Sequence, residues 1–248
     1  ILAKTLTLGT ATNGIGGSVV LTNTGNKFDN LGIVKVGDVA NTQYDLDIND
    51  TTGGLTIAGA QTSTGGIRIA TAKSTGAVGT LVIGANNITA SGDISLAGET
   101  ISQLSGSSIN ADGSGVSSMG GTITVSGGGG TNAITLGGTI TTDSDSVSAI
   151  VLRSAANATL NIVSAAAGGV SLGVSGGALS GAVTQSAGTG IISAATIYGN
   201  AGSVEVINNN RIDGHVLCYL RVLDDHICIY FNIFVRPPMV PFHWYRVS

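Results

Sequence analysis

The residues best placed to do chemistry are carboxylates. Asp45 and Asp47 stand two apart, and on a strand that spacing puts both side chains on one side. With Asp50 just beyond, they form an oxygen-rich group of the kind Ca²⁺ takes. The plainer reading is preferred: a solvated polar face followed by a turn at Asn49 and Asp50. Asp143 and Asp145 repeat the spacing in a serine-rich stretch. Asp93 with Glu99, or Glu99 with Asp112, would approach each other if successive segments stack. Two carboxylates about 5–10 Å apart, one with a raised pKa, are what glycoside hydrolysis needs. Nothing in the sequence requires that approach.

Other motifs are weaker. Ser171 and Ser175 each sit in a G-x-S-x-G match. A nucleophile elbow also needs a strand-turn-helix context, a histidine and an acid, and residues 1–210 hold no histidine. The run Gly127 to Gly130 lacks the Lys-Ser/Thr of a phosphate loop, and Gly14, Gly16 and Gly17 do not complete a dinucleotide fingerprint. Cys218, His226 and Cys228 with His215 are the only zinc-like set, but the cysteines are ten apart, unlike the close pairs of structural sites. The apolar run 227–235 is far shorter than the ~20 residues of a membrane helix. No catalytic, cofactor-binding or metal-binding residue is therefore assigned.

Thr5 and Thr7, Thr122 and Thr124, and Thr139 and Thr141 form T-x-T pairs. Flat β-solenoids with ranks of outward threonine bind ice, which asks for such pairs on one face of successive coils. Here their spacing is irregular.

The elements that must carry these residues follow from an unusual composition. The chain has 248 residues and 39 glycines, 10% charged residues, 4% aromatics and a net charge of -4. An apolar fraction of 42% excludes ordinary disorder. Three prolines exclude collagen, and no basic patch exists to hold nucleic acid. Composition breaks near residue 210. Residues 1–210 hold 38 of the glycines and no Cys, His, Pro or Trp, whereas residues 211–248 hold both cysteines, all three histidines, all three prolines and the tryptophan. The expected division is a repeat array over 1–210 and an atypical tail over 211–248. That tail is a cap, the start of a truncated domain, or out-of-frame text. The chain begins at Ile1 with no signal-peptide pattern, so the expectation is an internal or processed piece.

Within the array, short period-two runs of Val, Ile, Leu and Thr alternate with Gly, Asn, Asp and Ser clusters, the pattern of strands and turns. The runs begin at residues 18, 31, 44, 54, 66, 80, 93, 122, 133, 149, 159, 169 and 203. Alternation points Leu46 and Ile48, Ile67 and Ile69, and Val204 and Val206 inward, with Asp47, Arg68 and Glu205 outward. The near-identical runs, a core of small and medium aliphatics, and glycine and asparagine at bends predict an all-β protein. A right-handed parallel β-helix is favoured, with a β-sandwich as the alternative. Coils of about 20–25 residues would give roughly nine or ten turns and a rod on the order of 45 Å.

The stretch 87–130 reads NITASGDISLAGETISQLSGSSINADGSGVSSMGGTITVSGGGG, and residues 133–142 read AITLGGTITT. This text resembles the filamentous haemagglutinin-like adhesins of two-partner secretion and the β-helical passengers of autotransporters. The resemblance spans roughly residues 5–208. It implies a right-handed β-helix, exported unfolded through an outer-membrane transporter, that serves outside the cell or on its surface as a non-enzymatic adhesin or stalk touching host surfaces or glycans. No membrane span, nucleic-acid partner or cofactor is expected. A carbohydrate-active β-helix enzyme (lyase or glycosidase) and a structural matrix or surface-layer component are the alternatives.

Overall fold

The computed structural model describes residues 1–37, 42–51, 53–72, 78–112, 120–204, 211–212 and 216–218. In chain order the strands are β1 (Leu2–Leu8), β2 (Val19–Leu21), β3 (Lys27–Val36), β4 (Leu46–Asp50), β5 (Gly54–Ile57), β6 (Gln61–Ser63) and β7 (Ile67–Thr71). Then come β8 (Thr80–Ile83), β9 (Asn87–Ala90), β10 (Ile94–Ala97), β11 (Thr100–Gln103), β12 (Ser108–Asn110), β13 (Ile123–Ser126) and β14 (Ala133–Thr142). The last are β15 (Ile150–Arg153), β16 (Asn157–Leu172), β17 (Leu179–Gln185), β18 (Ile191–Gly199), β19 (Ala201–Val204), β20 (Arg211–Ile212) and β21 (Val216–Cys218). No helix occurs among the described residues.

Every strand pairs in parallel with the equivalent strand one coil away, so the chain is a parallel β-solenoid. The antiparallel sandwich is excluded. Each coil has three faces. Face 1 stacks β1, β3, β5, β8, β11 and the start of β14. Face 2 stacks the end of β3, β6, β9, β12 and the end of β14. Face 3 stacks β2, β4, β7, β10, β13 and β15. The long β16 runs through all three faces of one coil. From β3 to β18 about seven turns carry all three faces, with partial coils before and after. That falls short of nine or ten full turns because a coil is longer than assumed. Register partners lie as far apart in sequence as Ile101 and Ile134, since corner loops absorb residues without adding rungs. At about 4.8 Å per rung, seven turns give a rod of about 34 Å.

Alternation explains the core. On face 3, Val19, Leu46, Ile67, Ile94, Ile123, Ile150, Val170 and Ile197 are register partners in succession. Leu21, Ile48, Ile69, Leu96, Val125, Leu152 and Leu172 form a second ladder beside them. All but Leu21 are buried, and like side chains stack on like. The inward aliphatics of faces 1 and 2 join the same cluster, so one core column runs the length of the rod. Each coil buries its side of that column only because its neighbours cover it.

Corners need glycine where successive coils nearly touch. A Cβ on Gly59 would lie 2.5 Å from the Gly32 carbonyl carbon, and one on Gly121 would lie 2.2 Å from that of Gly92. Either is inside any real contact, so only glycine lets those corners stack.

Beyond residue 210, β20 pairs with Ser193 and Ala194, and β21 with residues from Ile197 to Gly199. Glu205 and Val206, and the zinc-like His215, His226 and Cys228, lie outside the described residues. Val204 is half-buried.

Candidate functional site

Most of the carboxylates singled out above are occupied in joining coils. Asp45 precedes β4 at the corner between faces 2 and 3, and its Oδ1 accepts the Gly66 N–H at 2.7 Å. Asp93 holds the same corner two coils later. Its Oδ1 accepts the Thr122 N–H at 2.7 Å and the Thr122 hydroxyl at 3.0 Å. Ser18 does the equivalent one coil before Asp45, with its Oγ accepting the Asp45 N–H at 3.0 Å. A short acceptor at this column therefore clamps the amide above it. Glu99 works at the opposite corner, its Oε2 accepting the Gly79 N–H at 3.0 Å.

Asp45, Asp47 and Asp50 do not converge. Asp47 points outward and pairs with Arg68 at 2.7 Å on the next coil. Asp50 points into the rod and is fully buried. One oxygen accepts the Phe28 N–H at 2.8 Å, and the other the Thr71 hydroxyl at 3.0 Å. Asp50 is thus not part of an exposed turn beside its neighbours. Strand alternation sends it to the core, where it bridges three successive coils. Asp93 and Glu99 flank opposite ends of β10, and Asp112 follows β12 at the corner Glu99 does not share, so neither proposed pair forms.

The pair that does form was not weighed from the sequence. Asp112 and Asp143 stand one coil apart in the column after face 2. Ile109 is the register partner of Ile140, and Asn110 of Thr141, so the text Ile-Asn-Ala-Asp lies over Ile-Thr-Thr-Asp. Aligning those two four-residue units would have found it. Asp112 is half-buried and Asp143 exposed. Burial, and then the Asp143 charge, push the Asp112 carboxyl above its ordinary value, while a hydrogen bond from the backbone N–H of Asp143 pulls the other way. The Asp143 carboxylate lies over Gly120, where a Cβ would come within 2.0 Å of its Oδ1. Asp145 is exposed nearby in the chain. Among the described residues no three of His, Cys, Asp and Glu gather as a metal-binding group. Asp112 Oδ1 is buried without a hydrogen-bond partner among the described residues, so the pair sets a carboxyl with a raised pKa beside an exposed carboxylate one coil away.

The serine motifs resolve into structure. Ser171 is buried on face 3 within β16, and its hydroxyl donates to the Gly173 carbonyl at 3.1 Å. Ser175 lies in an exposed turn between Val174 and Gly177. Neither stands on a strand-to-helix elbow. Gly129 and Gly130 take positive φ of 71° and 62°, the work of a corner turn. Among the described residues no helix is long and apolar enough to cross a membrane.

A scan of protein-family models finds no matching family, and searches of curated proteins and of solved structures find no match. The class defined by the chain's own geometry is a parallel β-solenoid.

Proposed function

We propose that this chain is the rod of a secreted or surface-exposed adhesin or stalk, non-enzymatic, that meets host surfaces or glycans through repeated contacts. The supporting observation is the register. Outward positions repeat from coil to coil, so the surface offers similar chemistry at intervals of about 4.8 Å. Repetition of that kind turns weak single contacts into avidity. The clamping roles of Asp45, Asp93 and Glu99 fit the same reading, because they spend charge on stacking. The resemblance to haemagglutinin-like text supports export through an outer-membrane transporter. The test is a glycan array and a host-cell binding assay with the whole chain. Saturable binding that survives Asp112→Asn supports the reading. No binding together with ordered self-assembly transfers it to a matrix or surface-layer component.

A second reading rests on the Asp112 and Asp143 pair: a carbohydrate-active β-helix with Asp112 as proton donor and Asp143 as the partner base. Polysaccharide breakdown by the whole chain, lost in Asp112→Asn and in Asp143→Asn, would establish it over the adhesin.

A further inference from the structure

The aromatics among the described residues are Phe28, Tyr44 and Tyr198. Phe28 is fully buried and Tyr44 packs on the core. Tyr198 follows the buried Ile197 in β18, so alternation sends its ring to the outward side of face 3. There the ring is fixed at its far end. The Tyr198 hydroxyl shares a hydrogen bond with the Ser148 hydroxyl, in the turn before β15, two coils away. Two rungs are about 9.6 Å, a span that a tyrosine makes only with its ring laid along the surface. Ser171 is the register partner between Val151 and Tyr198. It alternates with the inward Val170 and Leu172, so it faces outward, yet it is fully buried. The Tyr198 ring is the cover that accounts for this. Gly169 keeps the path beside it narrow, because a Cβ there would lie 2.1 Å from the Val147 carbonyl oxygen and 2.8 Å from Thr196 Oγ1.

One face of the ring therefore rests on the sheet and the other meets solvent, and Tyr198 as a whole is half-buried. Val147, the neighbour of Ser148, is 73% exposed and extends this apolar surface. Thr196 stands two residues before Tyr198 on the same side of β18. The segment that ends at Ser148 also carries the exposed Asp145. Repetition does not supply this arrangement: the same outward place on earlier coils holds Asp47, Arg68, Ser95, Thr124 and Val151.

We propose that Tyr198, with Val147 at its edge, is the stacking platform of a saccharide subsite on face 3. The proposal rests on the glycan-binding side of the adhesin reading and gives it a place. A pyranose presents axial C–H bonds on one face and hydroxyls around its rim. A ring already held flat by Ser148 takes that C–H face without losing side-chain freedom on binding. The Asp145 carboxylate and the Thr196 hydroxyl are the acceptors for the rim. A protein partner fits less well, because one ring and one valine fall far short of the roughly 800 Å² per partner of a standard interface. The subsite also differs from avidity along the rod in its stoichiometry, since it occurs once in the described coils.

The test applies the whole chain to an array of galactose-, glucose- and N-acetylglucosamine-terminated oligosaccharides and titrates the tightest binder by calorimetry. A single site per chain is expected. Tyr198→Ala should weaken binding about tenfold, while Tyr198→Phe, which keeps the ring, should stay within about threefold. Thr62→Ala on face 2 should change nothing, and circular dichroism checks the fold of every variant. If Tyr198→Ala does not fold, Val147→Asp carries the comparison. That position is exposed, and a hydrated charge at the edge of the platform should weaken binding about threefold or more. Unchanged affinity in either folded variant would overturn the subsite and leave the adhesin reading standing. So would equal losses in Tyr198→Ala and Tyr198→Phe, many sites per chain, or attachment to host cells with no oligosaccharide bound. Failure to bind both cells and oligosaccharides would remove the adhesin reading together with the subsite.

Discussion

Faces 2 and 3 of one coil bury themselves in different ways. A face 3 strand sends two aliphatics inward around one polar residue, as in Ile94, Ser95 and Leu96, and repeats this from β4 to β13, with Val151 in the middle place of β15. From β9 on, a face 2 strand sends one large aliphatic inward and follows it with a small or polar residue, whereas the end of β3 still sends Val34 and Val36 inward. Ile88 is followed inward by Ala90, Ile109 by Ala111, and Ile140 by Thr142, and in β6 both inward positions are polar, Gln61 and Ser63. Face 3 is held mainly by packing. Face 2 relies partly on hydrogen bonds, such as those from Gln61 Nε2 to the Gly32 and Gly59 carbonyls at 2.7 and 2.8 Å. The difference teaches where the rod resists opening and where its corners are pinned.

The strongest way to break this comparison is to cut the face 3 ladder. Leu96 is fully buried between Ile69 and Val125, and Leu96→Ala should cost about 2–5 kcal/mol in denaturant unfolding. Ala90→Gly, at the second inward position of face 2, should cost only about 1 kcal/mol. Equal losses would mean that the two faces share the load. Since coils contact only their neighbours, hydrogen exchange should rise first in the coils flanking Leu96.

Asp50→Ala tests the exception on face 3. It removes the acceptor of one backbone N–H and one hydroxyl inside the rod, and should cost about 2–4 kcal/mol. Asp50→Asn keeps an acceptor and should recover part of that loss. If alanine proved neutral, Asp50 would be a tolerated polar group and not a tie between coils.

The same contrast governs what could be read from the sequence. Runs carrying two aliphatics around a polar residue were legible: Leu46 with Ile48, and Ile67 with Ile69, are buried as alternation required, with Arg68 outside. The strands β1, β6, β9, β11, β12, β17, β18, β20 and β21 stood outside the identified runs. Gln-Thr-Ser in β6 looks like a turn, and it becomes a strand because Val34 and Ile88 on neighbouring coils supply its register. The carboxylates were harder still. One position decides whether an acid faces water, a corner amide or the core, and Asp47, Asp45 and Asp50 take these three fates within six residues. The Asp112 and Asp143 pair depends on the length of the intervening coil, and only aligning residues 109–112 with residues 140–143 across that coil would have found it.

Gln103 sharpens the comparison at face 1, where it replaces an aliphatic in the ladder between Ile83 and Leu136. Its Nε2 donates to the Thr139 carbonyl at 3.2 Å, while its Oε1 is buried without a hydrogen bond among the described residues. Gln103→Leu loses the donor and also removes an orphan acceptor, so the two effects oppose. The melting free energy should move by no more than about 1 kcal/mol in either direction. A loss as large as that of Leu96→Ala would show that face 1 depends on this amide to hold its corner.

The smallest effect belongs to Asp112, and its sign separates a stacking acid from a strained one. Its pKa is raised in the folded rod, so the folded state holds the proton more tightly than the unfolded chain. Stability from this group is complete below the ordinary aspartate pKa and is lost as pH rises through the folded value. At neutral pH the ionised Asp112 beside Asp143 therefore works against the fold. Asp112→Asn should raise the melting temperature slightly at pH 7 and leave it unchanged near pH 3. Salt should shrink the gain, because the exposed Asp143 charge is partly screened. The control is Asp93→Asn, at a corner where the carboxylate accepts two hydrogen bonds from Thr122. That substitution should lower the melting temperature at pH 7. If both changes moved it the same way, the column after face 2 would be one more set of clamps, and the raised pKa of Asp112 would have no separate role.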